Sequence, residues 1–225
     1  MENYAALLQR SYLFKNKRLG EIQLLLRQIH YRVQDFSENE LIFTAGQPAS
    51  TLGIILSGRV AVQKIFPTGK IMTVSSRGNF DLLADATLFA QTSVYPATLC
   101  AAAASRIFLL PKPELLKLFA IDQTIMLNFL CSVSNRIFML NDKIELLSLS
   151  SIQAKIAHYL ISASESSGSA VVRLPFSKKA WAEHLNVSRT SLSRELRQMA
   201  TSGLISFSQR RIVINDSNGL QQILL

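Results

Sequence analysis

Residues 176–211 read FSKKAWAEHLNVSRTSLSRELRQMATSGLISFSQRR, two short helical patterns on either side of a tight turn. In the first pattern Trp181 and Leu185 are four residues apart, so they share one helical face behind a capping Ser177. Residues 186–187 make the turn. A helix-turn-helix is therefore predicted.

The second pattern places an apolar face beside a basic one. Ser188 is predicted to cap this helix, and Gly203 stands where a left-handed C-terminal cap belongs. The apolar face consists of Leu192, Leu196 and Met199. The neighbouring face spans an arc of about 140° and consists of Arg189, Thr190, Ser193, Arg194 and Arg197. Arginine and hydroxyl groups near the start of a second helix are the chemistry that reads base edges in a DNA major groove.

The neighbouring segments complete a winged helix. A helix is predicted over residues 152–163, a strand over 171–174 and a hairpin over 205–214. We predict Arg189 and Arg194 as base readers, with Ser193 and Thr190 beside them. The predicted phosphate contacts are Ser177, Lys178, Lys179, Ser188, Arg197, Arg210 and Arg211. For the serines, helix capping or simple exposure to solvent is the alternative role.

Charge is concentrated at the same end of the chain. The 225 residues carry 24 Lys and Arg against 15 Asp and Glu, a formal net charge of +9. Residues 150–225 hold nine of the basic and four of the acidic residues. This surplus favours a polyanionic partner, either nucleic acid or a membrane surface. A basic protein with no such partner is the alternative.

Residue types and apolar patterning argue against several other classes. No apolar run reaches the length of a membrane span and no leader pattern is present, so we expect a cytoplasmic protein with no membrane partner. Cys100 and Cys131 lie among apolar neighbours and are interpreted as small buried residues. The histidines, His30, His158 and His184, have no acidic or cysteine partner at motif spacing. We therefore predict no catalytic residues, no metal site and no enzymatic activity.

The first half of the chain has a β pattern after a helical lead-in. Two short helices are predicted within residues 4–34, with a break near 17–20. Short apolar runs then alternate with turns such as Ser57-Gly58 and Phe66-Pro67-Thr68-Gly69, and residues 94–110 supply two more strands. This pattern predicts an antiparallel barrel or sandwich.

From Pro113 to Ser148 the period is helical. Apolar residues alternate at spacings of four and three, a heptad seam typical of a coiled-coil dimer interface. The seam consists of Met126, Leu130, Val133, Ile137, Leu140, Ile144 and Leu147. A core helix of the same chain is the alternative, and Phe129, Phe138 and Met139 could pack on the β domain. The hydroxyl-rich residues 148–151 break the helix and are the candidate hinge.

These pieces, in this order, resemble the cyclic-AMP receptor protein and FNR (Crp/Fnr) superfamily of bacterial transcription regulators. The resemblance covers about residues 20–215. It is carried by IFTAGQPASTLGIILSGRVAV, PTGK, GNF, the long helix, LSSIQAKIAHYL and VSRTSLSRELRQMATSGLI. It implies an α+β fold: a β-roll like a cyclic-nucleotide-binding domain, a long dimerisation helix and a C-terminal winged helix-turn-helix. The predicted divisions are residues 1–112 (N-terminal helices and β-roll sensor), 113–148 (dimerisation helix) and 149–225 (DNA-binding domain).

The resemblance also implies the partners. They are double-stranded DNA with a roughly palindromic operator, a second copy of the chain and RNA polymerase. In the recognition helix many members carry a glutamate where this chain has Thr190, so the usual family operator is not expected.

The effector signatures of the best-known members are missing. Cyclic-AMP-binding members hold the ligand with a Gly-Glu pair and an Arg-Ser pair, whereas the resemblance places Ala84-Asp85 or its neighbours at the first pair and Tyr95-Pro96 at the second. Without the arginine, a cyclic phosphate loses a charge-assisted partner, so we do not expect cyclic AMP to be the effector. No cysteine precedes Cys100, so the N-terminal iron–sulfur cysteines are also absent.

The effector, if one exists, is unidentified, and no cofactor is named. Its predicted pocket lies between the β-roll and the dimer helix and is lined by Tyr95, Cys100, Asn135, Leu140 and Asn141. Three alternatives remain open: an effector-independent regulator, a haem-based gas or redox sensor, and a protein-interaction module that does not bind DNA. His30 is the histidine that a haem would use, although its position is typical of a surface residue.

Overall fold

The chain divides into two units, Met1–Arg136 and Ile137–Leu225. The computed structural model describes residues 4–66, 68–175 and 177–224. Pro67 of the predicted turn and Phe176 of the predicted helix-turn-helix stretch therefore lie outside the described residues. The architecture is α+β, as predicted. The functional division at residues 112/113 and 148/149 stays a prediction.

Antiparallel β-structure forms the body of the N-terminal unit. Strands pair in the order β1-β6-β3-β4, while β2 also pairs with β6 and β5 with β3. The strands are β1 (Arg32–Phe36), β2 (Leu41–Phe43), β3 (Thr51–Ile65), β4 (Ile71–Arg77), β5 (Leu82–Leu83) and β6 (Thr98–Pro111).

Two of these strands are longer than their sequence pattern suggested. Ser57-Gly58 reads as a turn, but it lies inside β3, where the pairing register with β6 shifts between Ile55 and Val60. Gly58 has a φ of +104°, and a Cβ there would lie 2.2 Å from the Ser105 Oγ, so only glycine fits this bulge. The two strands predicted within residues 94–110 are likewise one strand, because pairing on both sides of β6 overrides the low β propensity of its alanines.

Helices close the core of this unit. They are α1 (Ala5–Leu8), α2 (Leu19–Leu26), α3 (Lys112–Ile121) and the start of α4 (Gln123–Ser148). The helical pattern expected from Pro113 to Ser148 is interrupted at Asp122, whose Oδ1 accepts hydrogen bonds from the N–H groups of Thr124 and Ile125. Such a side chain caps the start of α4, so the region forms two helices instead of one.

The long helix α4 buries one side of its first half and exposes a row of apolar residues. Ile125 and Phe129 belong to the core of the N-terminal unit, and Val133 packs against it. Five seam residues are at least half exposed: Leu130, Ile137, Leu140, Ile144 and Leu147. Phe138 and Met139 are 74% and 73% exposed, and their packing on the β domain stays a prediction.

The last turns of α4 belong to the core of the C-terminal unit. Leu146 is 3% exposed in that core, and the Lys143 ammonium donates a hydrogen bond to the His184 carbonyl at 3.0 Å. Burial, together with the charge of Lys143, lowers the pKa of the His184 imidazole. The C-terminal end of α4 is thus fixed to the first helix of the helix-turn-helix.

The C-terminal unit is a winged helix. Its sheet has the order β7-β9-β8. The elements are α5 (Ile152–Ser167), β7 (Val171–Arg173), α6 (Lys178–His184), α7 (Arg189–Thr201), β8 (Ile205–Ser208), β9 (Arg211–Ile214) and α8 (Ser217–Gln222). The break between α4 and α5 is confirmed, and Ser151 caps α5. Helix α8 was not predicted, although Asp216 caps it and Leu220 is buried.

In the described part of the chain, no helix has the length and apolar character needed to cross a membrane. Of the two cysteines, Cys100 is buried as expected. Cys131 on α4 is exposed, so its predicted burial is wrong.

Candidate DNA-binding surface

The helix-turn-helix is built by its caps and its buried residues. Ser177 Oγ accepts a hydrogen bond from the Ala180 N–H at the start of α6, and Ser188 Oγ accepts one from the Ser191 N–H at the start of α7. Trp181 is fully buried. The other core residues contributed by this stretch are Leu185, Leu192, Leu196 and Met199. The two predicted caps and the predicted apolar face are therefore confirmed.

The turn between the helices uses a left-handed residue. Asn186 has a φ of +54°, and the Val187 N–H donates to the Ala182 carbonyl at 2.9 Å. Asparagine tolerates this conformation better than most side chains. At the other end of α7, Gly203 has a φ of +81°, as its predicted capping role requires.

The predicted basic face of α7 forms a continuous surface. One open cleft of about 450 Å³ is lined by Arg189, Thr190, Ser193, Arg194 and Arg197. The arginines point into solvent because the opposite face of the helix is buried in the core. The structure thus brings together the residues predicted to face DNA bases, and their contacts with DNA stay a prediction.

Hydroxyl groups at the start of α7 are already hydrogen-bonded to one another. Ser188 Oγ lies 2.8 Å from Thr190 Oγ1 and 2.8 Å from Ser191 Oγ. The cap therefore engages the Thr190 hydroxyl.

A carboxylate lies beside Arg194, one of these exposed arginines. The Arg194 guanidinium donates through Nε to Glu195 Oε1 at 3.3 Å, and its Nη2 is 3.2 Å from the same oxygen. The other carboxylate oxygen of Glu195 accepts a hydrogen bond from Gln153 Nε2 on α5, at 3.1 Å. Sequence reasoning missed Glu195 and Gln153, because 42 residues separate them along the chain.

The wing carries the remaining predicted phosphate contacts. Arg210 and Arg211 are exposed, and Arg211 lines a second cleft with Arg173 of β7, which was not predicted. The Lys178 ammonium lies 4.7 Å from the centre of the Phe207 ring on β8. Cation–π contact of this kind holds the start of α6 beside the wing. Lys179 is exposed.

The predicted effector residues divide between the two units. Tyr95, Cys100 and Asn135 belong to the N-terminal unit, and Leu140 and Asn141 to the C-terminal unit. Tyr95 is 5% exposed and stacks on Phe43 with ring centres 4.6 Å apart. Asn135 is exposed and its Nδ2 donates to the Tyr12 hydroxyl at 3.2 Å. The effector pocket stays a prediction.

The Asp85 carboxylate is buried and paired. Asp85 is 4% exposed and forms an ion pair with Arg136 of α4, while Ala84 before it has a φ of +65°. Burial raises the pKa of the Asp85 carboxyl. His30 is exposed, and its backbone N–H donates a hydrogen bond to Glu114 Oε2 at 3.1 Å. Among the described residues, no group of three or more His, Cys, Asp or Glu side chains is arranged to hold a metal ion.

Comparison with known families agrees with this architecture. Residues 33–122 match the cyclic nucleotide-binding domain, and residues 154–223 match the Crp-like helix-turn-helix domain. A β sensor-type domain, a long helix and a winged helix-turn-helix define a DNA-binding transcription regulator. The chain belongs to the Crp/Fnr family of these regulators, which are not enzymes.

Solved structures show the same fold over nearly the whole chain. The Catabolite Activator Protein of Thermus thermophilus matches with a TM-score of 0.55 at 19% identity, covering 95% of this chain and 98% of its own. DNR from Pseudomonas aeruginosa matches with a TM-score of 0.52 at 25% identity, covering 98% and 97%. The sensor domain of the transcriptional regulator DNR alone matches with a TM-score of 0.53 at 22% identity, covering 66% and 95%. None of the curated protein sequences matches this chain.

Proposed function

We propose that this regulator binds a palindromic DNA operator as a homodimer, with one α7 helix in each of two successive major grooves. The observation that carries the proposal is the basic face of α7, five predicted side chains along one open cleft. Arginine donates two parallel hydrogen bonds to guanine O6 and N7, the commonest base-specific contact. Arg189 and Arg194 are the proposed base readers.

The exposed face of α4 supports the homodimer. Its seam residues recur at heptad spacing, and from Leu130 to Leu147 five of them are at least half exposed. Phe138 and Met139 widen this apolar surface. A second copy of the same helix would cover it by the knobs-into-holes packing that a heptad seam favours. A two-fold axis along α4 then sets the two α7 helices at a fixed separation.

We further propose that any effector of the β domain is different from cyclic AMP. Tyr95 stands where cyclic-AMP-binding members have their phosphate-binding arginine, and its buried ring stacks on Phe43. Asp85 stands where they have a glutamate, and it is paired with Arg136. Both observations support a site without the charge-assisted phosphate contact that the cyclic nucleotide needs.

Selection of binding sites from a random duplex library tests the proposed function. The purified full-length protein is expected to enrich one motif with two inverted half-sites. If no motif is enriched and the affinity varies with salt concentration but not with DNA sequence, the protein is not a sequence-specific regulator. An absorption spectrum of the same sample tests the haem alternative through the Soret band.

Arg211→Ala is expected to weaken binding to the selected operator and to random DNA by the same factor. Arg211 is an exposed wing residue and is proposed to contact phosphate, which carries no sequence information. Loss of one phosphate contact lowers the slope of log K against log salt concentration by about one per wing. Titrations at several salt concentrations measure both quantities, and an altered base preference would refute the phosphate role.

A further inference from the structure

We propose that Glu195 is a positioning residue that gives the α7 surface its sequence specificity by holding the Arg194 guanidinium. This inference rests on the proposed function, in which Arg194 reads a base. It concerns a carboxylate that contacts no base itself and acts through its neighbour. The structural basis is the chain of contacts from Gln153 through Glu195 to Arg194.

The contacts of Glu195 link the exposed Arg194 side chain to Gln153 of helix α5. Gln153 lies in the first turn of α5, a helix packed in the core of the C-terminal unit, and its amide holds one oxygen of Glu195. The second oxygen of Glu195 accepts from Arg194 Nε and lies near Nη2. Since the two oxygens have different partners, the carboxylate bridges the helix scaffold and the guanidinium.

The two side chains of the Arg194–Glu195 pair differ sharply in solvent exposure. The Arg194 side chain is 74% exposed, whereas that of Glu195 is 13% exposed. A free arginine side chain has many rotamers, and fixing them on binding costs affinity. An arginine already held at one edge loses less rotamer freedom when its remaining N–H groups meet a guanine. Because Glu195 holds the Arg194 guanidinium, it favours the contact with guanine, which requires a defined geometry.

The charge of Glu195 gives a second argument. Helix α7 has three arginines and one acidic residue, and that acidic residue lies outside the cleft but is paired with Arg194, which lines the surface proposed to face a polyanion. A carboxylate there weakens attraction to every DNA sequence alike. Its cost to non-specific binding and its benefit to one oriented contact both raise the ratio of specific to non-specific affinity.

Folding stability is not expected to depend on this pair. The arginine of this pair is 74% exposed, so solvent screens the interaction, and such a pair typically contributes little to the free energy of unfolding. Glu195→Gln keeps the side-chain length and the ability to hydrogen-bond Gln153, and it removes the charge. The variant is therefore expected to unfold at the same temperature as the original protein.

The test is a double-mutant cycle on the ratio of operator to random-sequence affinity, measured by titration at fixed salt. Glu195→Gln is expected to lower this ratio roughly tenfold, within the range that one arginine–guanine contact provides. In the Arg194→Ala background the same substitution is expected to change the ratio less than about twofold, because nothing remains to be positioned.

Two further variants test the anchor of Glu195 and control for the loss of its charge. Gln153→Ala leaves α7 untouched and removes the anchor, so it is expected to lower the ratio in the same direction by a smaller factor. Glu165→Gln removes an equal charge about 18 Å further along α5 and is expected to leave the ratio unchanged. Gln153→Ala also provides the test if Glu195→Gln does not fold.

Each outcome has one meaning. An equal effect of Glu195→Gln with and without Arg194, or an unchanged ratio, overturns the positioning role while the operator preference remains. An unchanged ratio in Arg194→Ala overturns it too, because Arg194 then reads no base. A wild-type protein with no preferred sequence overturns both this inference and the proposed function.

Discussion

Arg194→Ala is expected to abolish specific operator binding while leaving the protein folded. The substitution removes a proposed bidentate donor from the lining of the α7 cleft, a loss of about 1 to 3 kcal/mol at each half-site. Because two copies bind one operator, the loss counts twice and corresponds to a complex at least about 30-fold weaker. A gel-shift titration with the selected operator measures it.

The matched control for this variant is Arg27→Ala. Arg27 is an exposed arginine of the N-terminal unit, and its removal takes away the same charge. We expect the control to retain nearly full operator affinity. Because Arg194 is mostly exposed, both variants should keep the wild-type unfolding temperature. Unchanged operator affinity in Arg194→Ala would refute its assignment as a base reader.

Ile137→Glu is expected to convert the dimer into monomers that no longer bind the palindrome. Ile137 is an exposed seam residue, 55% accessible in the single chain. In the proposed dimer its counterpart lies across the two-fold axis, so the substitution buries two like charges against each other. Sedimentation velocity measures the change in mass, and a gel shift measures the loss of operator binding.

Cys131→Glu places the same charge at an exposed position of α4 beside the seam. We expect this control to remain dimeric and to bind the operator. An intact dimer of Ile137→Glu would refute the seam as the interface. Monomers of both variants would indicate an interface wider than the heptad seam.

Local signals made the helix-turn-helix predictable. Its caps, Ser177 and Ser188, and the left-handed Gly203 lie next to the helices that they delimit, and the apolar spacing of α7 falls on one face. The heptad spacing of α4 is equally local. Where an element is specified by neighbouring residues, sequence alone is sufficient.

Where the structure differs from the sequence-based predictions, the reason lies mainly in contacts between residues distant in sequence. Gly58 reads as a turn, but it forms a bulge inside β3 because Ser105 of β6 packs against it. Phe138 and Met139 have the character of core residues, yet their positions on α4 leave them exposed. Glu195 looks like an ordinary helix-surface residue until Gln153 of α5 is seen to hold it.

In the proposed complex two α7 helices, set apart by α4, read one operator. Hydroxyl-radical footprinting of the selected site with the wild-type protein tests this arrangement. We expect two protected segments related by a two-fold axis, with centres about one helical turn or 34 Å apart. A single protected segment, or two segments in direct repeat, would refute the two-fold arrangement of the α7 helices.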